Sequence, residues 1–588
     1  MAVWENYGEN QRVNARAIHV PGSLAEVREI VTAAARDGLG VKAYGSGHSF
    51  SGVARCDTNE ILIDLSPENE QLKHRCVIDG RLINPAAAGK PLVAVETAVA
   101  VYELSDWLNA QEHPLALPAI GAVNGQTIVG AMATGTHGSE IAFGPMANMA
   151  RAFFIVDGRG DCLLVQPSTP VFKDRDALQT ALTTLSGEAV WLQTALETAR
   201  PVADDDLFRA CLIGVGVVGM IYAVVLEVQP QFRLQETRTA RTWEDVKAHW
   251  QMPAAWHEAK AAWEQARDHS AGEALRQARR TWQEAQHQTL LLMLKRYFPD
   301  GDAEGLYTFS FLVNPYPNRA EGTHSCFVTV STLAEPASVD SPREPALDRL
   351  RAIDQACTTQ SWFLRLRRSL FRGAQRIFNR LFRRLGLDEV LTDILVWFLR
   401  TVPSTIDDLI DAVLRADLGQ RLGLSHDILT REVYEVKGWG IEVGVSLDRL
   451  VDAVDTMLAQ AAEMRRRRRY LTGPIALRFV AMTEAMLGMS ADEMTVQVEI
   501  TILKDTPHAE RTLPRLERIL LDRYDGVFHW GLEWDVASVE DARRSYRHFE
   551  TFRRIVGEHL DPDSRFANTY TRRVGIYTTG SEAGSAAI

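Results

Sequence analysis

Tyr44-Gly45-Ser46-Gly47-His48-Ser49-Phe50 is the stretch from which the architecture of this chain is read. It leaves a short apolar strand that begins at Val41. Gly45 and Gly47, with small Ser46 and Ser49, permit a tight turn whose backbone N–H groups can close on an anion. His48 sits inside the bend. Alone, such a bend is an ordinary glycine turn. Gly125-Gln126-Thr127-Ile128-Val129-Gly130-Ala131-Met132-Ala133-Thr134-Gly135-Thr136-His137-Gly138 repeats the pattern. Two glycine-and-histidine loops, each leaving an apolar β-α-β segment, predict one large phosphate-bearing cofactor clamped from two sides.

Outward from these loops, 588 residues are too many for one core and predict two or three domains. A hydrophobic content of 46% and a charged content of 24% are those of an ordinary globular protein. The net charge of -12 argues against nucleic acid as a partner, because phosphate binding needs basic surface. The six cysteines are scattered without a C-x-x-C pair, so neither a metal cluster nor a disulfide framework is expected. The first residues, Met1-Ala2-Val3-Trp4-Glu5-Asn6, have no basic or apolar leader character, and a cytoplasmic location is expected.

Along the chain, residues 17–20 form a predicted strand, and Ser23 with Glu26 forms a capping box opening a helix. Leu24, Val27, Ile30, Val31 and Ala34 give that helix one apolar face, and Gly38 ends it. Residues 67–90 are polar and are expected as a surface excursion. Residues 153–165 predict a hairpin around Asp157-Gly158. A third glycine-rich stretch, Gly214 to Ile221, runs into a strand at residues 223–228; tight helix–strand packing explains it as well as cofactor contact does. Residues 244–294 predict long helices with Trp263 and Trp282 on polar turns. Strands are expected over 306–332, interrupted at Asn314-Pro315-Tyr316-Pro317-Asn318, and over 434–445, 475–482 and 495–503. One helix is expected over 447–463 and another over 539–556.

Residues 362–387 carry eight arginines and no acid before Asp388, with Phe and Leu at helical spacing continuing toward residue 400. A basic amphipathic helix rich in aromatics fits an anionic bilayer surface, so a peripheral membrane contact through 362–400 is one expectation. A helix packed on its own domain is the other.

Taken together, Gly45-Ser46-Gly47-His48-Ser49-Phe50, the Gly130-to-Gly138 stretch, Gly214 to Ile221, His529-Trp530-Gly531 and the tail Asp561-Pro562…Phe566…Asn568…Tyr570 resemble the vanillyl-alcohol-oxidase-type (PCMH-type) FAD-binding flavoproteins. Within them the likeness is to the sugar-lactone and alditol oxidase branch. It is good over residues 13–232, fair over 524–575 and loose between. The resemblance implies an α+β fold. A two-part FAD-binding domain would occupy 1–232, and a cap domain with an antiparallel sheet flanked by helices 233–523, with insertions at 244–294 and 362–400. A C-terminal segment, 524–588, would return to the flavin. It implies FAD held by Tyr44, Gly45, Ser46, Gly47, His48, Ser49, Gly130, Thr134, Thr136, His137, Gly138, Gly216, Gly219, Ile221 and Asn568. His48 stands where relatives attach the flavin covalently. No cysteine lies near His137, so a second covalent link is not expected.

The implied reaction is oxidation of a CH–OH group by hydride transfer to flavin N5, with molecular oxygen as acceptor and hydrogen peroxide as product. Relatives line the site with a Glu-x-Arg pair and a lysine after His-Trp-Gly. Here Arg478 matches, but Ala476 replaces the glutamate and Leu532 the lysine. Unpaired sugar hydroxyls in a closed pocket cost roughly 1–3 kcal/mol each, which favours an apolar or lipid-like alcohol. His529 is the expected proton acceptor, since histidine titrates near neutrality. Glu442 and Glu499, on neighbouring predicted strands, are candidates to replace the missing carboxylate. Two alternatives stay open: an aldonolactone or alditol oxidase with altered polar contacts, and a flavin-binding module with impaired catalysis. No metal is expected.

Overall fold

In the computed structural model, residues 2–87, 89–173, 190–297, 305–318, 321–334, 406, 410–411, 414–415, 417–430 and 438–577 are described. The arginine-rich stretch 362–400 lies outside them.

The chain opens with a three-stranded parallel sheet in which Ile61–Asp64 lies between Ala17–His19 and Val41–Tyr44. Ile61, Leu62 and Ile63 are all buried, as a parallel strand covered on both faces requires. The crossover helix Leu24–Arg36 starts at the expected cap, Ser23, but Glu26 reaches one residue further back than a capping box requires. Ser23 Oγ accepts from Glu26 N–H, and the Glu26 carboxylate accepts from Gly22 N–H, so amides with no helical partner are satisfied. Leu24, Val27, Val31 and Ala34 are its buried face. Gly38, in the left-handed region at φ +68°, turns the chain away.

A six-stranded sheet follows, in the order Arg200–Ala203, Cys162–Gln166, Ala150–Val156, Met220–Glu227, Leu92–Glu96, Arg75–Val77. The hairpin is as expected: Val156 pairs with Cys162, and Asp157 Oδ1 accepts from the N–H groups of Arg159 and Asp161. Residues 67–90 are more than a surface excursion, because Arg75–Val77 pairs antiparallel with Val93–Val95 as the sheet edge. Along Leu92–Glu96 alternate residues serve two cores: Leu92 and Ala94 pack with the helix Leu24–Arg36, and Val93 and Val95 join the core that continues into the second half of the molecule.

That second half is built on an eight-stranded antiparallel sheet. Its order is Gly419–Leu424, Arg233–Thr242, His324–Ala334, Leu306–Pro317, Ile475–Val480, Thr495–Leu503, Gly438–Ser446, Val527–Phe528. Leu306–Pro317 runs through the expected interruption. Its register shifts between Val313 and Pro317, where Asn314 Oδ1 accepts from Tyr316 N–H. Trp256, Trp263 and Trp282 leave the polar faces foreseen for the last two and form a buried cluster with Met482, joining the helices Ala254–His269 and Gly272–Leu294. The expected helix over 539–556 is two, Val539–Ser545 and Phe549–Ile555, because Tyr546 takes extended backbone. No helix among the described residues is long and apolar enough to cross a membrane.

The C-terminal stretch returns to the first half. Phe50 N–H donates to Gly531 C=O at 2.7 Å, Ser51 Oγ to Trp530 C=O at 2.6 Å, and Val41 N–H to Arg565 C=O at 2.9 Å.

Candidate active site

The two glycine-and-histidine loops lie against each other. Ser46 Oγ donates to Gly125 C=O at 2.7 Å. A Cβ on Gly45 would sit 2.3 Å from Thr127 Oγ1, so only glycine permits that approach. Thr127 is held there because its hydroxyl accepts from Gly130 N–H and caps the short helix Ile128–Ala133. Gly47 has φ +66° and accepts from Tyr7 N–H at 2.9 Å. The His48 ring packs on Tyr7 with centroids 4.4 Å apart, and burial lowers its pKa to about 4, leaving a neutral imidazole. Ser49 C=O accepts from Asn6 Nδ2, and Tyr44 packs on Trp4.

Further along the second loop, Thr134 Oγ1 donates to Gly130 C=O at 3.3 Å and Gly135 turns at φ +85°. A Cβ on Gly121 would lie 2.6 Å from Thr136 Cγ2, and one on Gly138 2.5 Å from Ile120 C=O. The remaining expected contacts border this junction, and Val215 N–H donates to Ala133 C=O of the second loop at 3.0 Å. Gly216 C=O accepts from the buried Lys42 Nζ at 2.9 Å; a Cβ on Gly219 would meet Val156 C=O at 2.8 Å; Ile221 is buried in its strand. Asn568 caps the helix Thr569–Arg573 and its Nδ2 donates to Gly52 and Arg55 C=O, fixing the turn just beyond the first loop.

Strand register assembles the opposite wall. Ala476 pairs with Glu499 and Glu499 with Glu442, so these three share one row across three strands. Arg478 pairs with Gln497 in the next row on the same face. Arg478 Nη2 lies 2.7 Å from Glu499 Oε2, and Nη1 lies 3.6 Å from Glu442 Oε1. Burial opposes the guanidinium charge, but Glu499 and Glu442 outweigh it and raise the Arg478 pKa.

The second loop meets this wall at Glu442. His137 Nε2 is 3.3 Å and His529 Nε2 4.0 Å from Glu442 Oε2, and all three side chains are buried. Burial pushes the Glu442 pKa up, yet the charge and contact of His137, with His529 and Arg478, hold it down at about 2. Burial pushes His137 down, and Glu442 more than reverses this. Burial dominates at His529, which falls to about 4. Of the expected catalytic residues, Arg478, His529, Glu442 and Glu499 are therefore together, joined by His137 from the cofactor set. A Cβ on Gly531 would sit 3.2 Å from His529 Cε1 and 3.4 Å from Ser49 Oγ, which ties the first loop to the same place.

Three polar residues here escaped the sequence reading. Gln497 is buried with Oε1 making no hydrogen bond; its spacing of two from Glu499 was the available signal. Glu140 is buried, accepts from Ile120 N–H, and is pushed by burial up to about 7. It stands two residues after Gly138. Gln126, inside the second loop, has a buried Oε1 that makes no hydrogen bond.

Two family models match the chain: FAD binding domain over residues 15–165 and D-arabinono-1,4-lactone oxidase over residues 374–574. Curated relatives include a D-arabinono-1,4-lactone oxidase of Eremothecium gossypii, 26% identical over 42% of this chain and 38% of its own length. An L-gulonolactone oxidase of Mus musculus is 27% identical over 41% of this chain and 44% of its own. The matched stretch thus spans about two fifths of the length of these relatives. In fold, the chain is similar to the crystal structure of cholesterol oxidase from B. sterolicum, with TM-score 0.60 and 12% identity over 97% of this chain and 96% of the other. The expected resemblance is borne out in both parts, an FAD binding domain and a sugar-lactone oxidase domain, and so is the mixed helix-and-sheet fold.

The residues present fit FAD. Gly45, Gly121 and Gly138 are places where a Cβ has no room, and the unsatisfied Gln126 acceptor suits a ring N–H.

Proposed function

We propose that this chain is an FAD-dependent oxidase acting on a CH–OH group of a polyhydroxylated substrate, of the lactone or alditol class, with molecular oxygen as acceptor and hydrogen peroxide as product. The observation that carries this reading is the Arg478–Glu499 ion pair, with Glu499 directly across from Ala476. A carboxylate lost from one strand is present on its neighbour in the same row. The expectation of an apolar alcohol rested on Ala476 and Leu532, and Glu499 removes the first of these supports. Its remaining supports are Leu532, which is unchanged, and the predicted helix over 362–400, which lies outside the described residues.

When bound, the flavin supplies the two-electron acceptor for the hydride leaving carbon. The chain's own part is to hold the hydroxyls and receive the hydroxyl proton. Arg478, Glu499 and the spare acceptor of Gln497 give the substrate donors and acceptors in one row and the next. His529 accepts from Gly531 N–H at Nδ1, so its proton is on Nε2 and it acts as a donor. We therefore move the acceptor role expected of His529 to Glu499, since Glu442, held down at about 2, is a weak base. His48, neutral and held beside Tyr7, is assigned as the covalent anchor, because an uncharged ring nitrogen has the lone pair such a bond needs.

Peroxide formation on a panel of lactones, alditols, sterols and long-chain alcohols tests the reading. Turnover confined to the hydroxylated donors is expected; turnover confined to sterols or long-chain alcohols overturns the substrate class. Bound flavin without turnover of any donor supports a binding module instead. Acid precipitation tests the anchor: the yellow colour is expected in the wild-type pellet and in the supernatant of His48→Ala.

A further inference from the structure

His137, Glu442 and His529 bring one atom each, all within 4.8 Å of one another, into a buried space where a cation would find three donors. Either a metal ion or protons can join such a group, and the hydrogen bonds distinguish the two. His137 Nδ1 lies 2.9 Å from Gly138 C=O, which can only accept, so Nδ1 carries a proton. Its Nε2 faces the Glu442 carboxylate at 3.3 Å. That Nε2 is buried and makes no hydrogen bond of good geometry, so the approach is an ion-pair contact; a bare lone pair there would repel the carboxylate, and a proton on Nε2 turns the repulsion into attraction. His529 is the reverse case: Nδ1 is spent as acceptor to Gly531 N–H at 3.0 Å, which leaves its proton on the Nε2 that faces Glu442. With His529 oriented this way, a metal would find only His137 and Glu442, too few donors for a protein-held ion.

We propose that His137 is a positioning residue, a buried imidazolium that pins Glu442 against the second glycine-rich loop, and that protons rather than a metal ion join the cluster. The role rests on the reading of this site as one that oxidises CH–OH. Glu442 on its strand is faced by His137, by His529 from the motif after Val527–Phe528, by Arg478 on Ile475–Val480 and, beyond Arg478, by Glu499; His137 is also near Glu140 on its own loop. The imidazolium fixes the carboxylate, the carboxylate helps fix Arg478, and the row that meets substrate is held to the loop that meets cofactor.

The sign of the pH effect follows. The His137 pKa is raised, so its positive charge is present below the ordinary value of 6.5 and persists above it, being lost only as pH rises through the shifted value. An alkaline limb in kcat/KM is expected from this group.

The test uses the full-length holoenzyme in two measurements. Histidine ¹⁵N spectra at pH 7, with His137→Gln for assignment, should show one histidine protonated on both nitrogens that vanishes in the variant, and His529 protonated at Nε2. Elemental analysis should show no stoichiometric metal. His137→Gln should lower kcat on the order of 10²-fold, as misplacement of a positioned group does, with KM little changed and the alkaline limb removed; His137→Lys should recover part of kcat. A neutral His137 or stoichiometric zinc, manganese or iron overturns the inference. Should the variants not fold, the wild-type spectrum with fifteen histidine signals and its metal content still decide. Both readouts are independent of substrate, so they separate this inference from the oxidase reading itself.

Discussion

His48 and His137 occupy matching places in two loops that look alike in sequence, and the fold shifts their pKa values in opposite directions. Burial lowers His48 to about 4 and leaves it neutral beside Tyr7. Burial pulls His137 the same way, but Glu442 reverses the outcome. The difference lies in a carboxylate that arrives from a strand roughly three hundred residues later in the chain, as the numbering of Gly438–Ser446 makes plain. A histidine's protonation state is thus a property of what the second half of the molecule brings to it.

The sharpest way to break this contrast is Glu442→Gln. Without the carboxylate, burial acts on His137 as it does on His48, and the ring turns neutral near pH 7. Loss of one partner from a buried pair costs about 3–5 kcal/mol, read from denaturant unfolding; kcat/KM should fall on the order of 10²-fold, as misplacement of a positioned group does. Unchanged activity would remove Glu442 from the reaction. Next in size is Glu499→Ala, expected to cost about 1–3 kcal/mol of substrate interaction by leaving Arg478 without its 2.7 Å partner. Ala476→Glu in the same protein should recover part of the loss, since the two positions pair across adjacent strands. If the added glutamate gives no recovery, the carboxylate has not been exchanged between strands. The last expected effect falls on the loop–loop contact and is read on stability rather than on turnover. Gly45→Ala should lose about 1–3 kcal/mol by overpacking against Thr127, measured as thermal stability and flavin retention. Thr127→Ala should relieve part of that, less the cost of about 1 kcal/mol for a lost helix cap.

Much of the cofactor side was legible because it is local. Glycines that need bare backbone, a helix cap at Ser23, and apolar strands are written in short stretches. The candidate substrate side was legible as a set of residues, Arg478, His529, Glu442 and Glu499, but not in its arrangement, because that arrangement is register. Ala476 in the sequence announces a missing glutamate; only the pairing of two strands shows Glu499 opposite it. The same physics explains Trp263 and Trp282, whose polar neighbours concealed a partner supplied by an adjacent helix and by Met482. Arg75–Val77 was hidden by flanking polar residues and is a strand because Leu92–Glu96 offers it an edge. His529 was legible as a candidate but not in its tautomer, which depends on the Gly531 amide two residues on.

The most direct measurement is the visible absorbance of the purified protein on anaerobic addition of donor. The account predicts a flavin band that bleaches with lactones or alditols and stays unchanged with sterols and long-chain alcohols, with the bleaching slowed in Glu499→Ala. A colourless protein that takes up no flavin, or bleaching by apolar alcohols alone, would contradict it.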